Sequence, residues 1–277
     1  PTNESILAQS SERIQLPEPD RTGTMSLERA LDQRRSVRTY GDEPMSLQEV
    51  SQLLWAAQGI THPNGYRTAP SAGALYPLDL YLTGGRVTDL SDGVYHYRPR
   101  DHVLIRTGRE DRRADLAAAA LNQSWVQEGA VVITIVGVYG RTTKKYGDRG
   151  IRYTHIEVGH AAQNVYLQAE ALDLGTVIVG AFDDREVRDI LDLSDREQPL
   201  ARLPVGRSPR GRVAREPRLA HPGGRAVAQR GAGGDPLRPQ PLVAEAVAPA
   251  RRRGAGREAL RLAGRDRAVA LARLARR

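Results

Sequence analysis

The chain contains no cysteine. Disulfides, thiolate nucleophiles, iron–sulfur clusters and cysteine-ligated zinc are therefore excluded, and any redox chemistry has to come from a bound cofactor. A long apolar run is missing too. The strongest, residues 130–140, is far too short to cross a bilayer, and nothing near the start has the charged-then-apolar layout of a secretory leader. These absences predict a soluble, cytoplasmic protein with no membrane partner. The first residue is Pro1 rather than Met, which leaves a removed leader open.

A net charge of +8 would point to nucleic acid or an anionic surface if it were evenly spread. It is concentrated instead. Residues 208–277 hold 17 Arg, no Lys and 5 acids, a balance of +12, leaving 24 basic and 28 acidic residues, or −4, for residues 1–207. That tail has no Ile, Thr, Lys, Asn, Phe, Tyr, Trp or Met, and Arg with Ala fill 33 of its 70 positions. Its abundant residue types share GC-rich codons, so we read it as a frameshifted or read-through gene end with no selected fold. So few aromatics cannot offset the entropy of ordering. The functional alternative is an arginine-rich arm for nucleic acid or an anionic membrane, with residues 257–277 as a basic helix. Nucleic acid is not the expected partner.

The rest of the chain can bury a core, since 40% of all residues are hydrophobic. Residues 1–25 are polar, carry Pro17 and Pro19, and read as an extended arm. Ser26 is placed to cap a first helix, and Ser46 with Glu49 to box the start of a second that Gly59 stops. Leu78 to Thr83 and Gly93 to Tyr97 read as strands, Arg112 to Leu121 as an Ala-rich helix, and Ala130 to Tyr139 as a fully buried β-branched strand. Residues 141–150 form a polar loop. A long helix over Tyr153 to Leu172, ended by Gly175, precedes a short strand at Thr176 to Val179, a helix at Asp184 to Leu191 and a last strand at Ala201 to Val205. Intermixed helices and strands mean α+β or α/β.

Two segments carry chemistry on their own terms. Arg34, Arg35, Ser36 and Arg38 place guanidiniums and a hydroxyl where they can fork onto a phosphate, although a helix-end charge cluster looks the same. Pro70, Ser71, Ala72 and Gly73, followed by Ala74-Leu75-Tyr76-Pro77, let backbone approach a flat ligand in a loop held by two prolines. The alternative is an ordinary turn before a strand. His155, Glu157 and His160 share a helix at spacings that make no two-His metal face, so no metal is expected. Trp55 and Trp125 read as packing.

In order along residues 26–207 stand R-R-S-x-R (Arg34 to Arg38), P-S-A-G-A-L-Y-P (Pro70 to Pro77), G-H-x-A-Q-N (Gly159 to Asn164), G-T-x-x-x-G-A-F (Gly175 to Phe182) and L-P-V-G-R (Leu203 to Arg207). This series resembles the nitroreductase superfamily, in particular its SagB/ThcOx-type FMN-dependent dehydrogenases. The resemblance implies an α+β three-layer sandwich, with a central, mostly antiparallel sheet flanked by helices, in a homodimer that binds FMN between its subunits. It implies that Arg34, Arg35, Ser36 and Arg38 hold the phosphate end. Pro70, Ser71, Ala72 and Gly73 would then line the ring, Val179, Gly180 and Ala181 would offer it backbone amides, and Arg207 would return to the phosphate. Many classical nitroreductases have Glu two residues before the position of Phe182. Gly180 stands there instead, which bears on the acidic contact those relatives use with nicotinamides.

Azoline-forming members of this branch carry a Lys-Tyr pair that Lys145 and Tyr146 match, and such a pair suits removal of a carbon-bound proton during aromatisation. The other reading is a solvated basic loop. The resulting expectation is an FMN-dependent oxidoreductase that moves two electrons between flavin and a small molecule or a modified peptide, with azoline oxidation as one substrate class. The alternatives are an NAD(P)H-dependent nitro or quinone reductase, a flavin-binding module without turnover, and nucleic-acid binding through the tail.

Overall fold

The computed structural model describes residues 12–209; residues 1–11 and 210–277, which include nearly all of the proposed tail, lie outside them. Nine strands occur in this span: β1 (Arg13–Gln15), β2 (Met45–Ser46), β3 (Leu78–Gly84), β4 (Val87–Thr88), β5 (Gly93–Arg98), β6 (Val103–Gly108), β7 (Val131–Gly137), β8 (Leu174–Thr176) and β9 (Gln198–Arg207). The helices are α1 (Leu27–Gln33), α2 (Leu47–Gln58), α3 (Arg113–Ala119), α4 (Ser124–Glu128), α5 (Gly140–Tyr146), α6 (Arg149–Ala171) and α7 (Asp184–Leu191).

Seven strands make one antiparallel sheet in the order β1-β6-β5-β3-β7-β9-β8, while β2 and β4 form a small parallel pair. β7 is paired on both sides, by β3 and β9. Its sequence, Val-Val-Ile-Thr-Ile-Val-Gly, suits a strand that meets no water on either face. Alternation along the sheet splits the core in two. Leu78, Leu80, Leu82, Ile133, Ile135, Leu203 and Val205 face α2 and α6. On the other side Tyr81, Val132 and Val136 pack with Leu116, Val126, Val187 and Leu191 of α3, α4 and α7. Each such buried side chain stabilises the fold by roughly 1.5–3 kcal/mol. The result is the expected α+β three-layer sandwich around an antiparallel sheet.

Several local features differ from the sequence reading, among them the strand read at Thr176 to Val179, which is instead β8 and ends at Thr176. Residues 13–15 are the edge strand β1 on β6, which itself went unread because only its first two residues are buried. Residues 140–146 are helical rather than a loop. Gly175 does not end the long helix, which stops at Ala171; it lies within β8, where a Cβ would come within 2.6 Å of Val37.

Candidate functional site

The Arg34 to Arg38 segment lies along β8. Val37 donates its amide to the Thr176 carbonyl at 2.9 Å, and the missing Cβ at Gly175 makes this approach possible. The Tyr40 hydroxyl fixes the bend by donating to the carbonyls of Val37 (2.9 Å) and Pro204 (3.2 Å). Ser36 is exposed, with its hydroxyl 3.1 Å from that of Tyr166 in α6. The Tyr166 oxygen also accepts from the Ile178 amide at 2.8 Å, which ties the Ser36 segment, α6 and the strand after β8 together.

Arg34 stacks on the Tyr166 ring at 5.3 Å and Arg38 on the Trp125 ring at 5.8 Å. A stacked guanidinium keeps its N–H edge for a phosphate. Arg35 instead donates to the carbonyls of Asp32 and Arg34 at 2.7 and 2.8 Å, tidying the end of α1. Arg207 stands apart: its guanidinium holds Glu49 in a two-pronged ion pair at 2.5 and 2.9 Å and also donates to the Pro44 carbonyl at 3.0 Å. It is therefore committed to the start of α2.

Beyond Thr176 the chain carries Val179, which pairs with Arg202 of β9 through both backbone bonds, at 2.8 and 3.0 Å. Gly180 and Ala181 follow, both exposed. Beneath them Arg202 is fully buried, donates to the Leu116 carbonyl at 2.6 Å and stacks on Phe182 at 4.3 Å. Burial lowers its pKa to about 10, so it stays charged at neutral pH.

A second group gathers on the same helix, six residues earlier and so roughly 9 Å along its axis. Pro70 offers its carbonyl to His160 Nδ1 at 3.2 Å. Ser71 accepts from the Tyr76 amide at 2.9 Å and starts a single 3-10 turn over Ala72–Ala74, within which Gly73 takes the left-handed φ of 62°. A Cβ on Gly73 would fall 2.6 Å from the Tyr146 hydroxyl and 3.1 Å from the Lys145 ammonium nitrogen. The structure therefore brings Lys145 and Tyr146 against the Pro70 to Gly73 loop.

Tertiary contacts put them there. Arg141, in the first turn of α5, forms a two-pronged pair with Asp79 at 2.9 and 2.6 Å. Thr142 is buried against α6, bonding the Gly150 carbonyl and the Thr154 hydroxyl. Tyr146 also meets Tyr153 edge-on at 5.1 Å.

Between the loop and α6 lies a cavity of about 310 Å³, walled by Pro70, Ser71 and Ala72 on one side and by Tyr153, Ile156, Glu157 and His160 on the other. Glu157 is 1% exposed, and neither carboxyl oxygen is aligned with a hydrogen-bond donor. Burial raises its pKa, against the pull of Ser71, Gln58, Arg67 and His160 nearby. The sequence reading weighed Glu157 only as a metal ligand, although its spacing of three from Thr154 and four from Ala161 puts it on the buried face of α6. His155 turns away to the Tyr139 hydroxyl at 2.6 Å. Among the described residues, no group of three or more His, Asp or Glu side chains could hold a metal ion.

A family model described as the nitroreductase family matches residues 31–207. A protein of Methanocaldococcus jannaschii described as a nitroreductase is 48% identical over 194 residues, spanning 70% of this chain and 96% of that one. The FMN reductase [NAD(P)H] of Bacillus subtilis is 24% identical over 205 residues, 69% of each chain. The microcin B17-processing protein of Escherichia coli is 25% identical over 162 residues, 55% of this chain and 58% of its own. Among solved structures, a Ralstonia eutropha protein described as a nitroreductase superimposes with a TM-score of 0.64 at 30% identity, over 73% of this chain and 92% of the other.

Proposed function

The chain belongs to the nitroreductase family of oxidoreductases, and on that premise we propose that it is an FMN-dependent dehydrogenase of the SagB type, acting on an azoline in a modified peptide. The observation that carries this reading is the convergence of Lys145 and Tyr146 on Gly73, which puts two proton-carrying groups against the loop proposed to line the flavin. The residues present fit the cofactor. Ser36 presents an exposed hydroxyl, Arg34 and Arg38 present guanidinium edges, and Gly180 is exposed with nothing within 4 Å of where a Cβ would stand. Bound FMN would supply the two-electron chemistry that a chain without cysteine cannot draw from its own side chains. Arg35 orders the start of the phosphate cradle, and Val179 holds the turn that presents the Gly180 and Ala181 backbone.

Lys145 and Tyr146 have the acid–base part. One of the pair takes the carbon-bound proton released on aromatisation, and the Lys145 nitrogen lies 5.4 Å from the Tyr146 ring centroid. Arg141, tied to Asp79, keeps the start of α5 from drifting off the loop. The protein works as a homodimer in this reading. Leu27 and Leu31 of α1, Ile151 and Ile156 of α6, and Ile178 are 40–60% exposed in the single chain, apolar surface that a second copy would cover. Similarity to the microcin B17-processing protein supports the peptide substrate, whereas similarity to the FMN reductase supports the second reading, reduction of a quinone or nitro compound by NAD(P)H.

The visible spectrum of the purified chain, with identification of the cofactor released by heat, tests the flavin. Stoichiometric FMN is expected; no flavin after incubation with FMN would end this reading. Azoline-peptide oxidation should then fall by about 10²-fold or more in Lys145→Met and Tyr146→Phe, with the flavin spectrum retained. Rapid turnover of menadione with NAD(P)H, indifferent to both changes, would favour the reductase.

A further inference from the structure

Glu157 has no part in the chemistry described above, yet it is among the most costly placements in the molecule. Its side chain lies on α6 beneath the Pro70 to Gly73 loop, 1% exposed, on the wall of the 310 Å³ cavity. An ionised carboxylate there would need strong hydrogen bonds or a close ion pair. Neither is made: both its oxygens lack an aligned donor, and the buried Gln58 Nε2 and Arg67 Nε lack an aligned acceptor. Arg67 is drawn elsewhere, donating to Gln58 Oε1 at 2.7 Å and stacking on Tyr76 at 4.7 Å.

We propose that Glu157 is a positioning residue which works as a neutral carboxylic acid, setting the height of the Pro70 to Gly73 loop through the Ser71 hydroxyl and turning its own O–H toward the cavity. The proton logic of the surroundings supports this. Ser71 Oγ accepts from the Tyr76 amide, so its proton is directed down toward Glu157. Gln58 Oε1 is occupied by Arg67, so the Gln58 amide N–H₂ is the side left for Glu157. One carboxyl oxygen can serve these two donors, while the other carries the proton.

The charged and titratable groups that face it are Arg67 from the segment before the loop and His160 from its own helix, both favouring ionisation; burial opposes them and prevails. Ionisation would strengthen the pull of the carboxylate on the Ser71 and Gln58 donors and on Arg67, shifting Ser71 and with it Gly73 relative to the Lys145 and Tyr146 heads. The inference rests on the proposed reading of this loop as the flavin's wall.

The full-length chain, with and without added FMN, provides the test. Infrared difference spectra in H₂O and D₂O should show the carbonyl stretch of a protonated buried acid at neutral pH, and Glu157→Gln should abolish it. Gln is the isosteric mimic of the neutral acid, so Glu157→Gln should keep FMN affinity within about threefold, whereas Glu157→Leu, which leaves the Gln58 and Ser71 donors unmet, should lose about tenfold or more. Raising the pH should weaken FMN binding by the wild type but not by Glu157→Gln. Absence of the infrared band, or a Gln variant as impaired as the Leu variant, overturns the proposal. Failure of the wild type to bind FMN at all would count against the flavin reading, while the infrared band would still report on Glu157.

Discussion

Single atoms decide whether the site can close. Gly73 sits at φ 62° with two functional heads within 3.1 Å of its absent Cβ, so Gly73→Ala combines a strained backbone with a clash. Backbone strain of this kind costs about 1 kcal/mol, a loss the whole fold can absorb. Displacement of Tyr146 is the larger effect. Gly73→Ala should unfold at nearly the wild-type denaturant concentration while turnover drops by about tenfold or more; intact turnover would mean that Tyr146 does not need its present place. At this scale the sequence was partly legible. Ser36, Ser71 and Lys145 could be picked out by type and order. Helical spacing puts Glu157 on the buried face of α6, but which segments cover it was not legible, because the loop and α2 are distant in sequence.

Elements show why some segments announced themselves and others did not. The start of α2 is fully encoded: Ser46 Oγ accepts from the Glu49 amide at 3.2 Å and Glu49 returns to the Ser46 amide at 2.8 Å. Glu49 also holds Arg207 of β9, so this cap joins two layers. Ser46→Ala should cost about 1 kcal/mol by chemical denaturation. Glu49→Ala should cost more, since it removes the returning bond and leaves Arg207 unpaired, and equal losses would show that the ion pair contributes nothing. α5 is the opposite case. Its sequence, Gly-Arg-Thr-Thr-Lys-Lys-Tyr, opens on glycine, contains two β-branched residues and has no side-chain cap. Propensity alone disfavours a helix there; the Thr142 bonds to α6 and the Arg141 pair with Asp79 impose it. Long-range contacts of this kind leave no local mark. The same holds for β1, which is a strand only because β6 lies beside it.

Across the whole molecule, pH acts on opposed buried groups. His102 links the segment after β1 to α2 and the sheet: Nε2 lies 2.7 Å from Ser51 Oγ, Nδ1 lies 2.9 Å from the Tyr97 hydroxyl, and Ser51 donates to the Pro17 carbonyl at 2.5 Å. Burial lowers its pKa, so the folded state favours the neutral ring. Its contribution to stability is complete above the unfolded histidine value, about 6.5, and is lost as pH falls through the folded pKa. Glu157, raised by burial, acts the other way: what it contributes is present at low pH and is lost as pH rises through its folded value. Stability measured by denaturant from neutral pH downward should therefore decline less steeply in His102→Gln than in the wild type. An unchanged slope would assign the acid sensitivity to other groups, such as Asp111 and Glu197, whose lowered values act in the same direction.

The helix α6 gives the molecule its unit of length. Ser36 is registered at Tyr166 and Pro70 at His160, so the two halves of the site are spaced by turns of one screw thread. Adding a single residue between those positions would advance one half by roughly 1.5 Å and rotate it by roughly 100° relative to the other. Surface loops can gain or lose residues without such an error. This segment behaves as a gauge block, intolerant of any change in length.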